Sequence, residues 1–346
     1  MSIESSASDV AAAIYHKIST IPDSNDILIM IPGNPGLVEY YIPYLNLIQD
    51  SIAQFEIFCI GYLGFVKEST QQSQRTYSVQ EQIDHKYTII KQIVTQHKQV
   101  EPSSRSKPPS LYFLSHSLGS FIIQRTILKL FQDEELAGRF EIKFNGMITP
   151  TIYDIAGSES GSKFVKMMQW GLPFVGVAAT LSMLASYIPI GIQEWILNWH
   201  FRDIKEDTIV DTGIGTNYGL DNSINATIQF INSPIAIKQC LCMAKDEMEV
   251  IDKSDLVNDW FFSNSNKQAR FKNWIFFAQN DHWVSQDTRN YLLGKYKVGQ
   301  DNTGPNFFEI CQNRERPIMH AFCINQSEEF ANITIDRLKK LCRELH

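Results

Sequence analysis

The chain has 346 residues, 44% of them hydrophobic and 20% charged, an ordinary globular balance with enough apolar material for a large core. A net charge of −7 with no basic stripe argues against nucleic acid as a partner. The six cysteines form no C-x-x-C pair and several sit in apolar runs such as Phe58-Cys59-Ile60, so a reduced, cytosolic chain with buried thiols is expected. Met1–Val10 is polar, without a basic segment ahead of an apolar core, and does not read as a secretory signal.

In chain order, Asp26–Ile31 is a short apolar run that stops at Pro32-Gly33, and Phe55–Tyr62 is a second; both predict core strands. From Val79 to His97 the apolar residues Val79, Ile83, Tyr87, Ile90 and Val94 recur at helical spacing. Glu101–Ser110 is polar and rich in Pro and Ser, and reads as a loop. Leu111–Leu114 predicts a strand, Leu118–Phe131 a helix, and Phe144–Ile148 a strand ending at Thr149-Pro150. Phe271–Ala278 and Phe307–Cys311 are late strands, and Glu328–Leu345 is a terminal helix. This alternation predicts an α/β protein with a doubly wound, mostly parallel sheet. The segment 151–269 breaks the alternation and is too long for a connection. It reads as an inserted helical cap or lid between two halves of one core, residues 1–150 and 270–346.

Leu111-Tyr112-Phe113-Leu114 runs through Ser115-His116-Ser117-Leu118-Gly119 into a helix. Strand, tight turn and helix around a serine flanked by small residues form the nucleophile elbow of the α/β-hydrolase fold, usually G-x-S-x-G. The turn is strained, so its flanking residues must be small; Ser115 stands where Gly is usual. Such a turn lifts the Ser117 hydroxyl above the sheet edge and aims the Leu118 N–H at the reacting oxygen. Pro32-Gly33-Asn34-Pro35-Gly36 follows an early strand, where this fold draws its other oxyanion donor. Pro35 has no N–H, so Asn34 is the candidate. A polar turn capped by Ser115 or Ser117 is the plainer alternative for the serine motif.

A serine hydroxyl needs a base, and in this fold the chain order is Ser, acid, His. Of eight histidines, His16, His85, His97, His116 and His200 precede the expected region and His346 is terminal, which leaves His282 and His320. His320 follows the last predicted strand, and Asp281 ends the strand before it, so an acid at one strand edge can orient a base on the next loop. His282, adjacent to Asp281, is poorly placed to be its partner. Asp154 and Asp246 are the alternative acids. No cluster has metal-ligand spacing, and neither a metal nor an organic cofactor is implied.

Met167–Gln193 carries no charged residue and is broken by Pro173 and Pro189 between Trp170 and Trp195. Its length suffices to cross a bilayer, but the breaks suit a re-entrant or surface-lying anchor better, with Trp170, Phe174, Leu181, Leu184 and Trp195 against lipid. An apolar lid over an acyl pocket is the alternative, and one segment can serve as both.

Ile31-Pro32-Gly33-Asn34-Pro35-Gly36-Leu37-Val38-Glu39-Tyr40-Tyr41, Ser115-His116-Ser117-Leu118-Gly119 and Met319-His320-Ala321-Phe322 together resemble the lipid droplet-associated hydrolase family, in the same order over most of the chain. The resemblance implies an α/β-hydrolase with Ser117 as nucleophile, Asp281 as acid and His320 as base. It also implies esterase or lipase action on triacylglycerols or sterol esters at the cytosolic side of the lipid droplet surface, with the endoplasmic reticulum membrane as a second address. The chain departs from the family at Ser115, where Gly is usual, and at Asp281-His282-Trp283, where Asp-Gly-Trp is usual. Two other readings compete: a droplet-surface binding or organising protein with little turnover, and a soluble thioesterase or peptidase with an internal lid.

Overall fold

In the computed structural model, strand β2 (Asp26–Ile31) sends Ile27, Ile29 and Ile31 into one buried cluster and Leu28 and Met30 into another. Strand β4 (Ser110–His116) does the same with Leu111 and Phe113 against Tyr112 and Leu114, and β6 (Lys272–Phe277) with Ile275 and Phe277 against Trp274 and Phe276. Such period-two alternation, apolar on both faces, is what a parallel strand covered by helices on both sides requires. The structure describes residues 12–65, 75–97, 107–169, 173–200, 218–263, 271–297, 305–313 and 316–344.

With β1 (Ile14–Lys17), β3 (Glu56–Ile60), β5 (Glu141–Ile148) and β7 (Asn306–Ile310), the strands form one sheet in the order β1-β3-β2-β4-β5-β6-β7. Only β1 is antiparallel to its neighbour. One face is covered by α2 (Val79–Gln96) and α3 (Leu118–Gln132), the other by α1 (Ile42–Ser51) and the terminal helix of Ser327–Glu344. Local chemistry sets several helix starts. Ser78 and Glu81 form a reciprocal capping box on α2, and Pro43 opens α1 where its missing N–H costs nothing.

Among the described residues, six α-helices lie between β5 and β6: α4 (Glu159–Gln169), α5 (Phe174–Ala185), α6 (Ile190–His200), α7 (Tyr218–Ile231), α8 (Pro234–Val250) and α9 (Leu256–Phe262). α9 returns to the core, burying Phe261 and Phe262 beneath the first face. After β6 comes α10 (Gln286–Tyr296), capped by Ser285, and the terminal helix is α11. No single helix among the described residues is long and apolar enough to cross a membrane; α4 and α5 would suffice together, but they meet at 98°. Cys59, Cys240, Cys242, Cys311 and Cys323 are free thiols.

The expected strands and helices all form, with ends shifted by a few residues, and β1, α1 and α10 are additional. Most of the expected loop Glu101–Ser110, and Leu345 at the end of the terminal helix, fall outside the described residues. The parallel arrangement brings the residues that follow β2, β4, β5, β6 and β7 to one edge of the sheet, where open α/β sheets place their sites.

Candidate active site

β4 ends at His116 and α3 begins at Leu118, so Ser117 alone makes the turn, with φ +51° and ψ −123°. A residue other than Gly pays about 1–3 kcal/mol there and needs support from its surroundings. The support is direct: Ser117 N–H donates to the Ile148 carbonyl at 3.0 Å, and its own carbonyl accepts from Ser120 N–H at 2.9 Å and Thr151 N–H at 3.4 Å. A Cβ on Gly119 would fall 2.4 Å from the Ile31 carbonyl oxygen and 2.5 Å from that of Pro32, so only glycine lets α3 start against the end of β2. Ser115 is fully buried where the usual residue is glycine. Its hydroxyl donates to the Gly146 carbonyl at 3.2 Å and lies 3.2 Å from Ser120 Oγ, so the added polar group is satisfied and the elbow keeps its shape.

His320 lies on the loop between β7 and α11, pinned by buried Ile318 and Phe322 and by Gln326, which bonds the Met319 N–H and the Pro317 carbonyl. Its Nε2 is 3.0 Å from Ser117 Oγ, and its Nδ1 is 2.8 Å from Asp281 Oδ2. The second carboxylate oxygen of Asp281 accepts from the N–H groups of Trp283 at 2.8 Å and Val284 at 3.0 Å. Burial pushes this carboxyl up, but the His320 hydrogen bond and charge and the two N–H donors outweigh it and hold the pKa below the ordinary carboxylate value. Asp281 is therefore ionised at neutral pH, and with both oxygens engaged it fixes the His320 Nδ1–H tautomer.

The alternative acids are occupied elsewhere. Asp246 accepts from Val79 N–H at 2.6 Å, at the start of α2, and Asp154 faces Lys253 at 3.5 Å. His282 turns outward to Glu159, 2.7 Å away, so the bulkier residue beside Asp281 is absorbed by an exposed hydrogen bond with α4.

The two expected oxyanion donors flank the serine. Leu118 is the first residue of α3, where a helix leaves its N–H without an intrahelical acceptor. The loop after β2 abuts the elbow: a Cβ on Gly33 would lie 3.1 Å from Ser117 Cβ. The Asn34 side chain turns away towards α8, where Nδ2 donates to the Cys240 carbonyl at 3.0 Å and to Glu247 Oε1 at 2.8 Å. Burial raises the Glu247 pKa to about 8.

Sequence reasoning missed Tyr41 and His116. Gly33 N–H donates to the Tyr41 hydroxyl at 2.9 Å, Tyr41 lies 2.7 Å from His116 Nδ1, and His116 Nε2 lies 2.8 Å from the His320 carbonyl oxygen. His116 touches the loop that carries His320. Its place beside Ser117 in the motif was a usable signal, as was the place of Tyr41 at the end of the Ile31–Tyr41 string.

The apolar segment forms a helical hairpin, α5 and α6. Pro173 caps α5 and Pro189 immediately precedes α6, so the prolines that interrupt a single span open two short helices instead. Gln193 stitches the hairpin, donating from Nε2 to the carbonyls of Ala185 and Ile188, and α5 lies along α8. Leu181 is 61% exposed, Leu184 54%, Trp195 68% and Trp199 66%. Glu194 is the only fixed charge between residues 173 and 200. Phe174 is half-buried, and Trp170 lies outside the described residues.

A serine on a strained strand-to-helix turn, in a sheet of this topology, defines the α/β-hydrolase fold. Across nearly the whole chain the fold is similar to a carboxylesterase crystal structure from Nitrososphaera gargenis, with a TM-score of 0.57, 12% identity and 99% of each chain covered. Residues 24–323 match the lipid-droplet associated hydrolase family, and the chain belongs to it. Relatives include the lipid droplet-associated hydrolases of Gallus gallus, 22% identical over 90% of this chain and 84% of the relative, and of Dictyostelium discoideum, 25% identical over 92% and 88%.

Proposed function

We propose that the chain is a serine ester hydrolase that cleaves lipid esters (triacylglycerols, sterol esters or related acyl esters) at the cytosolic surface of lipid droplets, with the endoplasmic reticulum membrane as a second surface. The observation that carries this reading is the hydrogen-bonded relay from Asp281 through His320 to Ser117, at 2.8 and 3.0 Å. Ser117 Oγ attacks the ester carbonyl while His320 Nε2 takes its proton. The carbonyl oxygen becomes an anion facing the N–H groups of Leu118 and Asn34, where one donor is worth about 10²–10³ in rate. His320 then protonates the leaving alcohol, and the same base activates water to release the fatty acid. Asp281 orients the imidazole and stabilises its charged form throughout.

Two features support a lipid substrate. The α5–α6 hairpin offers Leu181, Leu184, Trp195 and Trp199 to an apolar surface, and full burial of each such side chain contributes about 1.5–3 kcal/mol. Phe174, the first residue of α5, extends the proposed contact, and Trp170, expected to share it, lies outside the described residues. A cavity of 490 Å³ beside the loop after β2 is lined by Leu37, Tyr62, Phe65, Phe230 and Ile235, with Glu39, Gln229, Asn232 and Ser233 as polar members, and offers an apolar wall to an acyl chain.

The test is hydrolysis of triolein and cholesteryl oleate emulsions and of a soluble p-nitrophenyl ester by the wild type and Ser117→Ala. The expected result is turnover of the soluble ester and of at least one emulsion, abolished by the substitution. Turnover that survives Ser117→Ala would sink the proposal.

A further inference from the structure

We infer that His116 is a positioning residue: through one directed hydrogen-bond chain it ties the oxyanion loop, the nucleophile elbow and the base loop into a single rigid unit. The inference rests on the ester-hydrolase reading above. The three loops come from distant parts of the chain, after β2, β4 and β7; Ser117 N–H still pairs the elbow to the end of β5, but β2 and β7 are not neighbours in the sheet, so no strand pairing registers the first loop against the last. A strained serine and its base need registration to a fraction of an ångström, because a 1 Å misplacement can cost about 10²-fold in rate.

With His116 neutral, the amide and carbonyl ends of the chain set the sense of the protons between them. The Gly33 N–H can only donate, so the Tyr41 oxygen accepts from it at 2.9 Å. The Tyr41 hydroxyl then gives its one proton to His116 Nδ1, 2.7 Å away. A neutral imidazole whose Nδ1 accepts carries its proton on Nε2. That Nε2–H donates to the His320 carbonyl at 2.8 Å, and a carbonyl can only accept. A second proton on His116 would remove the acceptor that Tyr41 uses. Burial, and then the neighbouring His320 ring, push the His116 pKa down to about 3, so the neutral form persists. Burial also raises the Tyr41 pKa well above its ordinary value, which keeps its proton in place.

Packing allows no slack. Tyr41 and His116 are both buried, and Phe322 stands edge-on to each of them two residues after His320. A Cβ on Gly33 would lie 2.8 Å from His116 Nδ1, so the oxyanion loop rests directly on the imidazole. The Thr149 hydroxyl reaches the same His320 carbonyl at a longer 3.5 Å. His116 is therefore the principal donor to the peptide that carries the base.

The test compares full-length wild type with His116→Phe, His116→Gln, Tyr41→Phe and Ser117→Ala on a soluble p-nitrophenyl ester, with thermal unfolding measured in parallel. Phe keeps the bulk of the ring but neither hydrogen bond, and kcat should fall about 100-fold with KM little changed. Gln places an N–H donor where Nε2 stood and should return kcat to within about fivefold of wild type, the worth of one hydrogen bond. Tyr41→Phe, which removes the donor to His116 Nδ1 but leaves Nε2–H on the His320 carbonyl, should fall between them. Imidazole ¹⁵N spectra should show His116 as the Nε2–H tautomer, unchanged from pH 5 to 8. Equal kcat in wild type and His116→Phe while Ser117→Ala is inactive, or a His116 that titrates in that range, would overturn the inference and leave the hydrolase reading standing. Should Phe unfold the protein, the Gln and Tyr41→Phe variants and the spectra still decide. Turnover indifferent to Ser117→Ala would instead sink the hydrolase reading, and this inference with it.

Discussion

The sheet edge and the α5–α6 hairpin treat their groups in opposite ways. At the edge, Ser115, His116 and Thr149 are buried polar side chains with hydrogen-bond partners. On the hairpin, Leu181, Leu184, Trp195 and Trp199 are large apolar side chains turned outward. Buried polar groups cost free energy unless bonded, and they then fix one geometry. Contiguous exposed apolar groups also cost free energy, and the cost falls only when another apolar phase covers them. On the proposed function, the difference separates a preorganised site, which must not move, from a surface that meets a lipid phase.

The strongest challenge to the first half of that contrast is loss of the nucleophile. Ser117→Ala should lower kcat by about 10⁵-fold or more, read on a soluble ester, with the unfolding profile near wild type. Asp281→Asn should cost about 10⁴-fold, because an amide no longer enforces the His320 tautomer. Activity within tenfold of wild type in either variant would break the account of the relay.

A third prediction concerns pH. His116 has an ordinary value of 6.5 and a folded value of about 3. Between these values the unfolded chain binds the proton and the native chain does not, so stability falls as pH drops from about 6.5 and levels off near 3. The loss attributable to His116 is roughly 3–5 kcal/mol across that window. In denaturant titrations at pH 7 and pH 4, His116→Gln should lose less stability than wild type; equal losses would contradict the assignment.

The hairpin half is tested by charge. Leu181→Asp with Leu184→Asp should weaken adsorption to neutral-lipid emulsions by about 100-fold, since carboxylates are expensive in hydrocarbon. The ratio of emulsion to soluble turnover should fall with it. Unchanged flotation with the emulsion would mean that the exposed face serves another purpose.

The smallest effect is on the elbow itself. Ser117→Gly relieves the positive-φ strain that Ser117→Ala retains, so Gly should be the more stable of the two by about 1–2 kcal/mol in chemical denaturation. Equal stabilities would mean that the turn stores no strain.

Much of this was legible in sequence, for local reasons. Buried parallel strands leave apolar runs that stop at turn residues, as Asp26–Ile31 does before Pro32-Gly33. The order Ser117, Asp281, His320 follows the order of strand ends along the sheet, which places all three at one sheet edge. β1 left no such trace: it is four half-buried residues, Ile-Tyr-His-Lys, on an antiparallel edge. The Tyr41–His116–His320 chain spans separations of 75 and 204 residues, beyond any local pattern. The accommodation of Ser115 depended on the Gly146 carbonyl from the neighbouring strand, and that of His282 on Glu159 in α4. Proline breaks in Met167–Gln193 marked where helices begin, but which side chains face outward depends on packing against α7 and α8.

The central claim is that Ser117 is an activated nucleophile, and covalent labelling tests it most directly. Purified wild type, Ser117→Ala and His320→Ala would be treated with a fluorophosphonate probe in the presence of a neutral-lipid emulsion, and the adduct mapped by mass spectrometry. The account predicts a single adduct on Ser117 in wild type, absent from both variants. An unlabelled wild type, or label on another residue, would contradict it.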